Sequence, residues 1–271
     1  MQTAKARGVA AECVAWSRRA ETRDFCRKTD YCDAVFETPQ EAVAGADVVI
    51  ACVPVDRIVP LLESCVPALK PKALVTDVGS TKAKICAEAD RVLPFEVCFA
   101  GSHPMAGSEL NGIAAARADL LEDRLCFVAD DARSRRTGAG ERAWNFWESL
   151  GMRTRYVDPV EHDAIVAHVS HLPHSVAVAL SATLSQKPLS WRDCGAGGLR
   201  DTTRVSAGNP LIWRSILEEN RNELLPALEQ FQAGIGALTS ALREGNSEAL
   251  LSILSAASAW RLPLSKDSDA N

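Results

Sequence analysis

Short apolar segments alternate with longer amphipathic ones through the first 157 residues of the chain. Continuous apolar segments such as 47–53 and 73–78 are typical of strands buried on both faces of a parallel sheet. The pattern predicts strands at 13–16, 34–36, 47–53, 73–78, 97–100, 124–129 and 154–157, with helices at 21–28, 57–68, 81–93 and 141–150. This alternation predicts an α/β fold with a Rossmann-like, doubly wound parallel sheet.

The pattern changes to helices alone after Asp158. Helices are predicted at 159–185, 209–242 and 247–259, so we predict a sheet domain at 1–157 and an all-helical domain at 158–271. Extended apolar helix faces are commonly buried against a second copy of a chain, and a homodimer through the C-terminal helices is therefore expected. The polar segment 131–140, which carries three arginines, is predicted to be a mobile surface loop.

Composition narrows the classes of function without choosing one. The chain has 271 residues, 47% of them hydrophobic, and a formal net charge of -5, which disfavours nucleic acid and anionic membranes as partners. No apolar run is expected to approach the roughly 20 residues of a membrane span, and the N-terminus lacks a signal-peptide core. Nine cysteines without Cys-x-x-Cys spacing favour reduced thiols in a cytoplasmic protein, and no metal site is expected.

The segment Gly101–Glu109 reads Gly-Ser-His-Pro-Met-Ala-Gly-Ser-Glu and follows a predicted strand. Small residues let a backbone approach a ligand, and a histidine can exchange a proton near neutral pH. Carboxyl ends of parallel strands share one edge of such a sheet, so His103 and Ser80 are expected to line one crevice together with Pro54. Ser80 either caps the next helix or orients the imidazole of His103.

Two more polar groups stand in the helical half of the chain. His168, His171 and His174 are spaced by three residues and are expected to share a helix face, packed or turned toward substrate. Gly195–Thr203 is a glycine-rich stretch followed by Arg204, whose guanidinium can bind a carboxylate with two hydrogen bonds.

In their order and spacing, these motifs resemble the prephenate/arogenate dehydrogenase family of tyrosine biosynthesis, from about residue 4 to about residue 260. The matching segments are 46–50 with Val53-Pro54, Thr76–Lys82, Gly101–Glu109, Ser170–His174, and Arg200–Pro210 with Trp213. The resemblance implies NAD(P)-dependent oxidative decarboxylation of prephenate to 4-hydroxyphenylpyruvate.

The resemblance also implies roles for single residues. His103 is the base that contacts the 4-hydroxyl of the substrate, and Ser80 supports it. His171 lines the substrate pocket, and Arg204 binds a substrate carboxylate. A base with a pKa near neutrality suits the removal of a hydroxyl proton, and an anionic substrate suits an arginine.

The cofactor is expected to contact Ser17, Arg18 and Arg19 after one strand, and Val53 and Pro54 after another. An acidic residue after the second strand of such domains binds the ribose of NAD, whereas arginine accommodates the phosphate of NADP. NADP is therefore favoured over NAD. By the resemblance, a first strand, a Gly-x-Gly-x-x-Gly turn and most of a helix, about 20 residues, are expected to precede Met1.

Other functions stay open. Arogenate differs from prephenate by an amino group in place of a keto group, and no residue pattern separates the two enzymes. A β-hydroxyacid dehydrogenase would require a catalytic lysine on the helical domain, where 159–185 offers histidines and Lys187 follows the end. A truncated, non-catalytic dimeric remnant is the third alternative.

Overall fold

Helices and strands alternate up to Val157 in the computed structural model, which describes residues 1–106, 113 and 116–266. The strands are β1 (Val14–Ala15), β2 (Ala34–Val35), β3 (Val48–Ala51), β4 (Leu74–Asp77), β5 (Cys98–Ala100), β6 (Ser102–Pro104), β7 (Leu125–Ala129) and β8 (Arg153–Val157). The helices of this half are α1 (Gln2–Ala6), α2 (Ala20–Cys26), α3 (Pro39–Val43), α4 (Val55–Cys65), α5 (Ala83–Val92), α6 (Ala132–Thr137) and α7 (Ala139–Ser149).

The strands form three sheets. β1 pairs with β2, β3–β4–β5 form the central sheet, and β6–β7–β8 form the third. All of these pairings are parallel except β6–β7, where His103 faces Phe127 in antiparallel register. The α/β class with parallel strands is confirmed, and His103 lies on a short strand rather than on the expected loop.

Helices cover both faces of the central sheet. On β4, Val75 packs with α4 and α5 in one apolar core, whereas the neighbouring Leu74 belongs to a second core that includes Trp147 of α7. Side chains alternate between the two faces of a strand, so both faces must be apolar if both are covered. This doubly wound arrangement explains the continuous apolar segments in the sequence.

The segment 131–140 is helical, which corrects the prediction of a mobile loop. Asp131 caps α6 by accepting a hydrogen bond from the backbone N–H of Ser134 at 2.7 Å. Arg133 is 3% exposed and donates to the carbonyl oxygens of Leu93 at 3.1 Å and Val97 at 3.0 Å. The arginine is buried because it satisfies backbone carbonyls of the loop between α5 and β5.

The second half contains only helical elements among the described residues. They are α8 (Pro159–Val166), a π-helical segment (Ala167–His171), α9 (Leu172–Leu184), α10 (Leu189–Asp193), α11 (Gly197–Thr203), a 3-10 turn (Arg204–Ala207), α12 (Pro210–Glu219), α13 (Arg221–Arg243) and α14 (Ser247–Lys266). The single helix predicted at 209–242 is interrupted at Asn220, whose side chain donates a hydrogen bond to the carbonyl oxygen of Asp163 in α8.

Contacts divide the chain into two compact units, 1–223 and 224–271. The first unit includes α8 to α12 because α8 packs on α5 and α12 packs on α4. The domain boundary at 157/158 stays a prediction from sequence. The helical run Pro159–Leu184 has 26 residues and reaches a mean hydropathy of 1.2, enough by length and composition to cross a membrane. One such helix is weak evidence for a membrane span, and this one contains four buried polar side chains, those of His162, Asp163, His171 and His174.

Candidate active site

The carboxyl ends of β3, β4 and β5 place the predicted site segments at one edge of the central sheet. Val53 and Pro54 follow β3, Ser80 follows β4, and His103 follows β5 after two residues. Gly79 allows the turn after β4, because a Cβ there would lie 2.7 Å from Cδ1 of Ile58 and 2.8 Å from Oδ2 of Asp77. Gly107, Ser108 and Glu109 of the histidine motif lie outside the described residues.

A buried ion pair between Asp77 and Lys82 closes the turn after β4, and both side chains are fully buried. Asp77 also accepts hydrogen bonds from the backbone N–H of Gly79 at 2.8 Å and of Ser102 at 3.0 Å. The carboxylate therefore joins the Ser80 turn to the strand that carries His103. Within the described residues, no hydrogen bond joins Ser80 to His103 themselves.

A chain of hydrogen bonds leads away from His103. Its Nδ1 lies 2.9 Å from Nε2 of His162, and Nδ1 of His162 lies 2.8 Å from Oδ1 of Asp163. Asp163 also accepts from the backbone N–H groups of Lys82 at 2.7 Å and Ala83 at 2.9 Å, which begin α5. We call the three side chains His103, His162 and Asp163 the histidine chain.

The histidines of the site are held in the neutral state. Burial, followed by the neighbouring His162, Lys82 and His171, places the pKa of His103 well below its usual value. Burial also lowers the pKa of His162, and the adjacent Asp163 offsets part of this effect. The pKa of His171 falls to about 4, chiefly through burial. The pKa of His103 therefore lies below the near-neutral value expected from the sequence, because burial disfavours the charged ring. The neutral ring keeps the lone pair with which a general base accepts a proton.

His171 is fully buried at the end of the π-helical segment. The side-chain amide of Asn220 donates to the carbonyl oxygen of Asp163 at 2.9 Å, and its Nδ2 also lies 2.9 Å from Nδ1 of His171. Because Nδ2 can only donate, Nδ1 of His171 is the acceptor, and the ring proton is on Nε2. Nε2 has no partner among the described residues, so this buried donor is left unsatisfied.

His174 and Trp213 form a stacked pair next to this donor. Their ring centroids are 3.4 Å apart, and the rings are within 6° of parallel. Arg204 is exposed in the 3-10 turn that packs on α9, the helix that carries His174. His168 is exposed, which corrects the expectation that the three histidines share one face. The π-helical segment has a different residue spacing per turn from an α-helix, and it separates His168 from the others.

The turn between β1 and α2 carries the predicted cofactor residues. The guanidinium of Arg23 donates to the carbonyl oxygens of Ser17 at 2.7 Å and Arg18 at 3.3 Å, so the backbone of the turn is held in place. The side chains of Arg18 and Arg19 are exposed beyond it. Two exposed guanidinium groups are suited to the phosphates of a dinucleotide.

The sequence did not single out His162, Asp163, Lys82, Asp77 or Asn220 for a role in the site. A signal for the first two was present: His162 and Asp163 form a polar pair at the end of the first turn of the predicted helix 159–185, directly before the apolar residues 164–167. Buried polar groups need partners, so such a pair on an apolar helix is a candidate for a site. The break at Asn220 left no pattern that spacing alone would detect.

The fold and the site define a class: an α/β nucleotide-binding oxidoreductase with a helical second region. The family model "Prephenate dehydrogenase, nucleotide-binding domain" matches residues 4–156, and "Prephenate dehydrogenase, dimerization domain" matches residues 158–256. The chain belongs to the prephenate/arogenate dehydrogenase family.

Two curated relatives agree with this assignment. A cyclohexadienyl dehydrogenase of Zymomonas mobilis is 34% identical over 251 residues, which are 91% of this chain and 85% of the relative. A prephenate dehydrogenase of Bacillus subtilis is 33% identical over 229 residues, 82% of this chain and 61% of the relative.

Solved structures show the same fold. The prephenate dehydrogenase of Aquifex aeolicus, crystallised with hydroxyphenyl propionate and NAD+, superposes with a TM-score of 0.88 at 24% identity, covering 97% of this chain and 92% of that one. The arogenate dehydrogenase of Synechocystis superposes with a TM-score of 0.77 at 25% identity, covering 97% and 95%.

Proposed function

We propose that this protein catalyses the oxidative decarboxylation of prephenate to 4-hydroxyphenylpyruvate with NADP, and accepts NAD less well. The family and the relative named prephenate dehydrogenase support the reaction. The observation that carries the proposal is the pairing of a neutral histidine base, His103, with a buried unpartnered donor, Nε2 of His171, in one compact unit.

Each residue has a role that follows from its chemistry. The imidazole of His103 takes the proton of the 4-hydroxyl and returns it to the phenol oxygen that forms when CO2 leaves. Ser80, half-buried in the turn after β4, bonds to the same hydroxyl. His171 Nε2–H and Arg204 bind the carboxylates of the dianionic substrate. A bound nicotinamide cofactor would supply the acceptor for the hydride of C4.

Ser17, Arg18 and Arg19 would hold the ribose phosphate of the cofactor, and Val53 and Pro54 would line its path along the sheet edge. Arg18 and Arg19 carry the preference for NADP, since an exposed guanidinium pairs with a 2′-phosphate. Arg23 keeps their turn in place through backbone carbonyls and its ion pair with Glu37 at 2.7 Å.

The protein is further proposed to be a cytoplasmic homodimer. The second unit exposes a series of large apolar side chains, namely Phe231, Ile235, Leu251, Leu254 and Trp260. Exposed apolar surface of this kind marks an interface, and the matched family model describes a dimerisation domain. All nine cysteines are free thiols, which suits a reducing compartment.

The test measures the reduced nicotinamide formed with prephenate and with arogenate, each with NAD and with NADP. The chain is assayed as it stands and with its upstream codons included. The proposal predicts the largest kcat/KM for prephenate with NADP. A larger kcat/KM for arogenate would make arogenate the substrate in place of prephenate. No turnover by either folded form would favour the non-catalytic alternative.

A further inference from the structure

We propose that His162 is a positioning residue that fixes the proton of His103 on Nδ1 and leaves the lone pair of Nε2 free for substrate. This inference deepens the proposed function, because only a base requires that lone pair. It assigns a role to a residue 59 positions away from His103 in sequence. The assignment follows from the direction in which each hydrogen bond of the histidine chain must run.

The direction of the hydrogen bonds in the histidine chain is fixed at Asp163. Its Oδ1 accepts the backbone N–H of Lys82 at 2.7 Å, and its Oδ2 accepts that of Ala83 at 2.9 Å. Both donors begin α5, a ten-residue helix whose N-terminal end favours an anion. A carboxylate has no proton to donate, so its third neighbour, His162, must also be a donor. Nδ1 of His162, 2.8 Å from Oδ1, therefore carries a proton.

The proton on Nδ1 of His162 then fixes the direction of the hydrogen bond between His162 and His103. A neutral imidazole with its proton on Nδ1 has a lone pair on Nε2, so His162 accepts where it meets His103. Nδ1 of His103, 2.9 Å away, must be the donor. Burial, and to a lesser extent the positive charge of Lys82, lowers the pKa of both rings, which disfavours an imidazolium in either place. The remaining nitrogen of His103, Nε2, is left as the acceptor for a substrate hydroxyl.

The rings cannot easily leave this arrangement. His103 lies on β6 opposite Phe127, so its backbone is held by the pairing with β7. The ring of Phe127 meets His162 edge to face, with centroids 5.3 Å apart and planes at 88°. His162 is fully buried and Phe127 is 3% exposed, so a rotation of either ring requires the core to rearrange.

The experiment reads the ring protons directly. Protein labelled with 15N-histidine is examined by long-range 1H–15N NMR, and the His103 signals are assigned by their loss in His103→Asn. The wild type is expected to show His103 protonated on Nδ1 alone. His162→Phe keeps a ring but removes the acceptor, and is expected to give a mixture of the two tautomers.

Kinetics supply the second readout. His162→Phe is expected to lower kcat at least about 10-fold with little change in KM, since a base held in the wrong tautomer can lose up to about 10⁴ in rate. His162→Gln restores an amide oxygen that accepts from Nδ1 of His103, and is expected to recover most of kcat. The matched control is His168→Phe, an exposed histidine of the same helical run, which should behave as wild type.

The outcomes separate this inference from the proposed function. A wild-type His103 protonated on Nε2, or a tautomer unchanged in His162→Phe, overturns the positioning role whatever the activity. Equal losses of kcat in the Phe and Gln variants, with both folded, also overturn it. If NMR gives the expected pattern while neither prephenate nor arogenate is oxidised, the positioning role holds and the proposed function fails.

Discussion

Two pairs of buried histidines lie in this molecule, and they differ in how their nitrogens are satisfied. In the first pair, His103 and His162 bond to each other, and His162 bonds onward to Asp163. In the second pair, His171 and His174 each keep one buried nitrogen without a partner among the described residues. An unsatisfied buried polar group costs about 1–3 kcal/mol, so the second pair is destabilising until a ligand meets it.

This difference indicates separate roles for the two pairs. The first pair bonds within the protein through Nδ1 of His103 and both nitrogens of His162, and leaves only Nε2 of His103 for substrate. The pair is therefore held in one geometry before any substrate arrives, as a base must be. The second pair is incomplete and is stabilised only when a polar ligand supplies hydrogen-bond partners. Stability and turnover experiments can separate these two roles.

The largest expected effect is on kcat/KM and comes from a substitution in the first pair. His103→Asn removes the base and should lower kcat/KM about 10³-fold, within the range of about 10²–10⁴ for general-base catalysis. Cofactor affinity should stay nearly unchanged, because His103 acts on substrate. Steady-state kinetics and a cofactor titration by fluorescence measure both. A normal rate in the folded variant would remove His103 from the role of base.

The next largest effect is on stability and concerns the buried Asp77–Lys82 ion pair, which lies next to the strand of His103. Lys82→Met leaves the carboxylate of Asp77 buried without its cation, and breaking a buried ion pair in this way costs about 3–5 kcal/mol. Urea denaturation should show this loss in the free energy of unfolding. Lys84→Met is the matched control, since Lys84 is half-exposed in its pair with Glu219 and should change stability by no more than about 1 kcal/mol. Equal small losses would mean that the pair contributes little.

A smaller effect is expected at the second pair. His171→Leu removes the buried donor and should raise the KM for prephenate about 10-fold, which corresponds to about 1.4 kcal/mol for one charge-assisted hydrogen bond. The KM for cofactor should not move. In the absence of substrate the variant loses an unsatisfied donor, Nε2, but also the acceptor of a buried Asn220 N–H, and these two effects on stability oppose each other. A variant with unchanged substrate KM would show that His171 does not bind substrate.

A further effect concerns the pH dependence of stability and involves both pairs together. The pKa values of His103, His162, His171 and His174 are all lowered in the folded chain, chiefly by burial. Below about pH 6.5 the unfolded chain binds protons that the folded chain does not, so stability falls as pH falls. Each histidine contributes a slope of up to about 1.4 kcal/mol per pH unit, and for His171 this continues down to about pH 4.

Urea denaturation at pH 7.5, 6.5 and 5.5 measures this slope. His171→Leu should flatten it by about one proton, whereas substitution of the exposed His168 should leave it unchanged. A free energy of unfolding that is constant between pH 7.5 and 5.5 would contradict the neutral state of the buried rings.

Local patterns predicted much of the fold. At the start of α3, Thr38 and Glu41 form a capping box with Pro39 at the first helical position, a signal contained in four consecutive residues. The apolar segments became strands because both sheet faces are covered, and the prediction is confirmed for β3, β4 and β5. The signals for these elements lie within a few neighbouring residues, where sequence reasoning is strongest.

The sequence by itself also determined that His103 follows a strand end at the ligand-binding edge of a parallel sheet. It did not reveal that His162 would meet His103, or that Asn220 would orient His171, 49 residues away. Nor did it show that Arg133 would be buried on carbonyl groups near 93–97. These contacts depend on the packing of α8 and α12 against the sheet and on the helix break at Asn220. Only the tertiary structure decides them, because a buried polar group is satisfied by whichever partner the fold brings within reach, not by its neighbours in sequence.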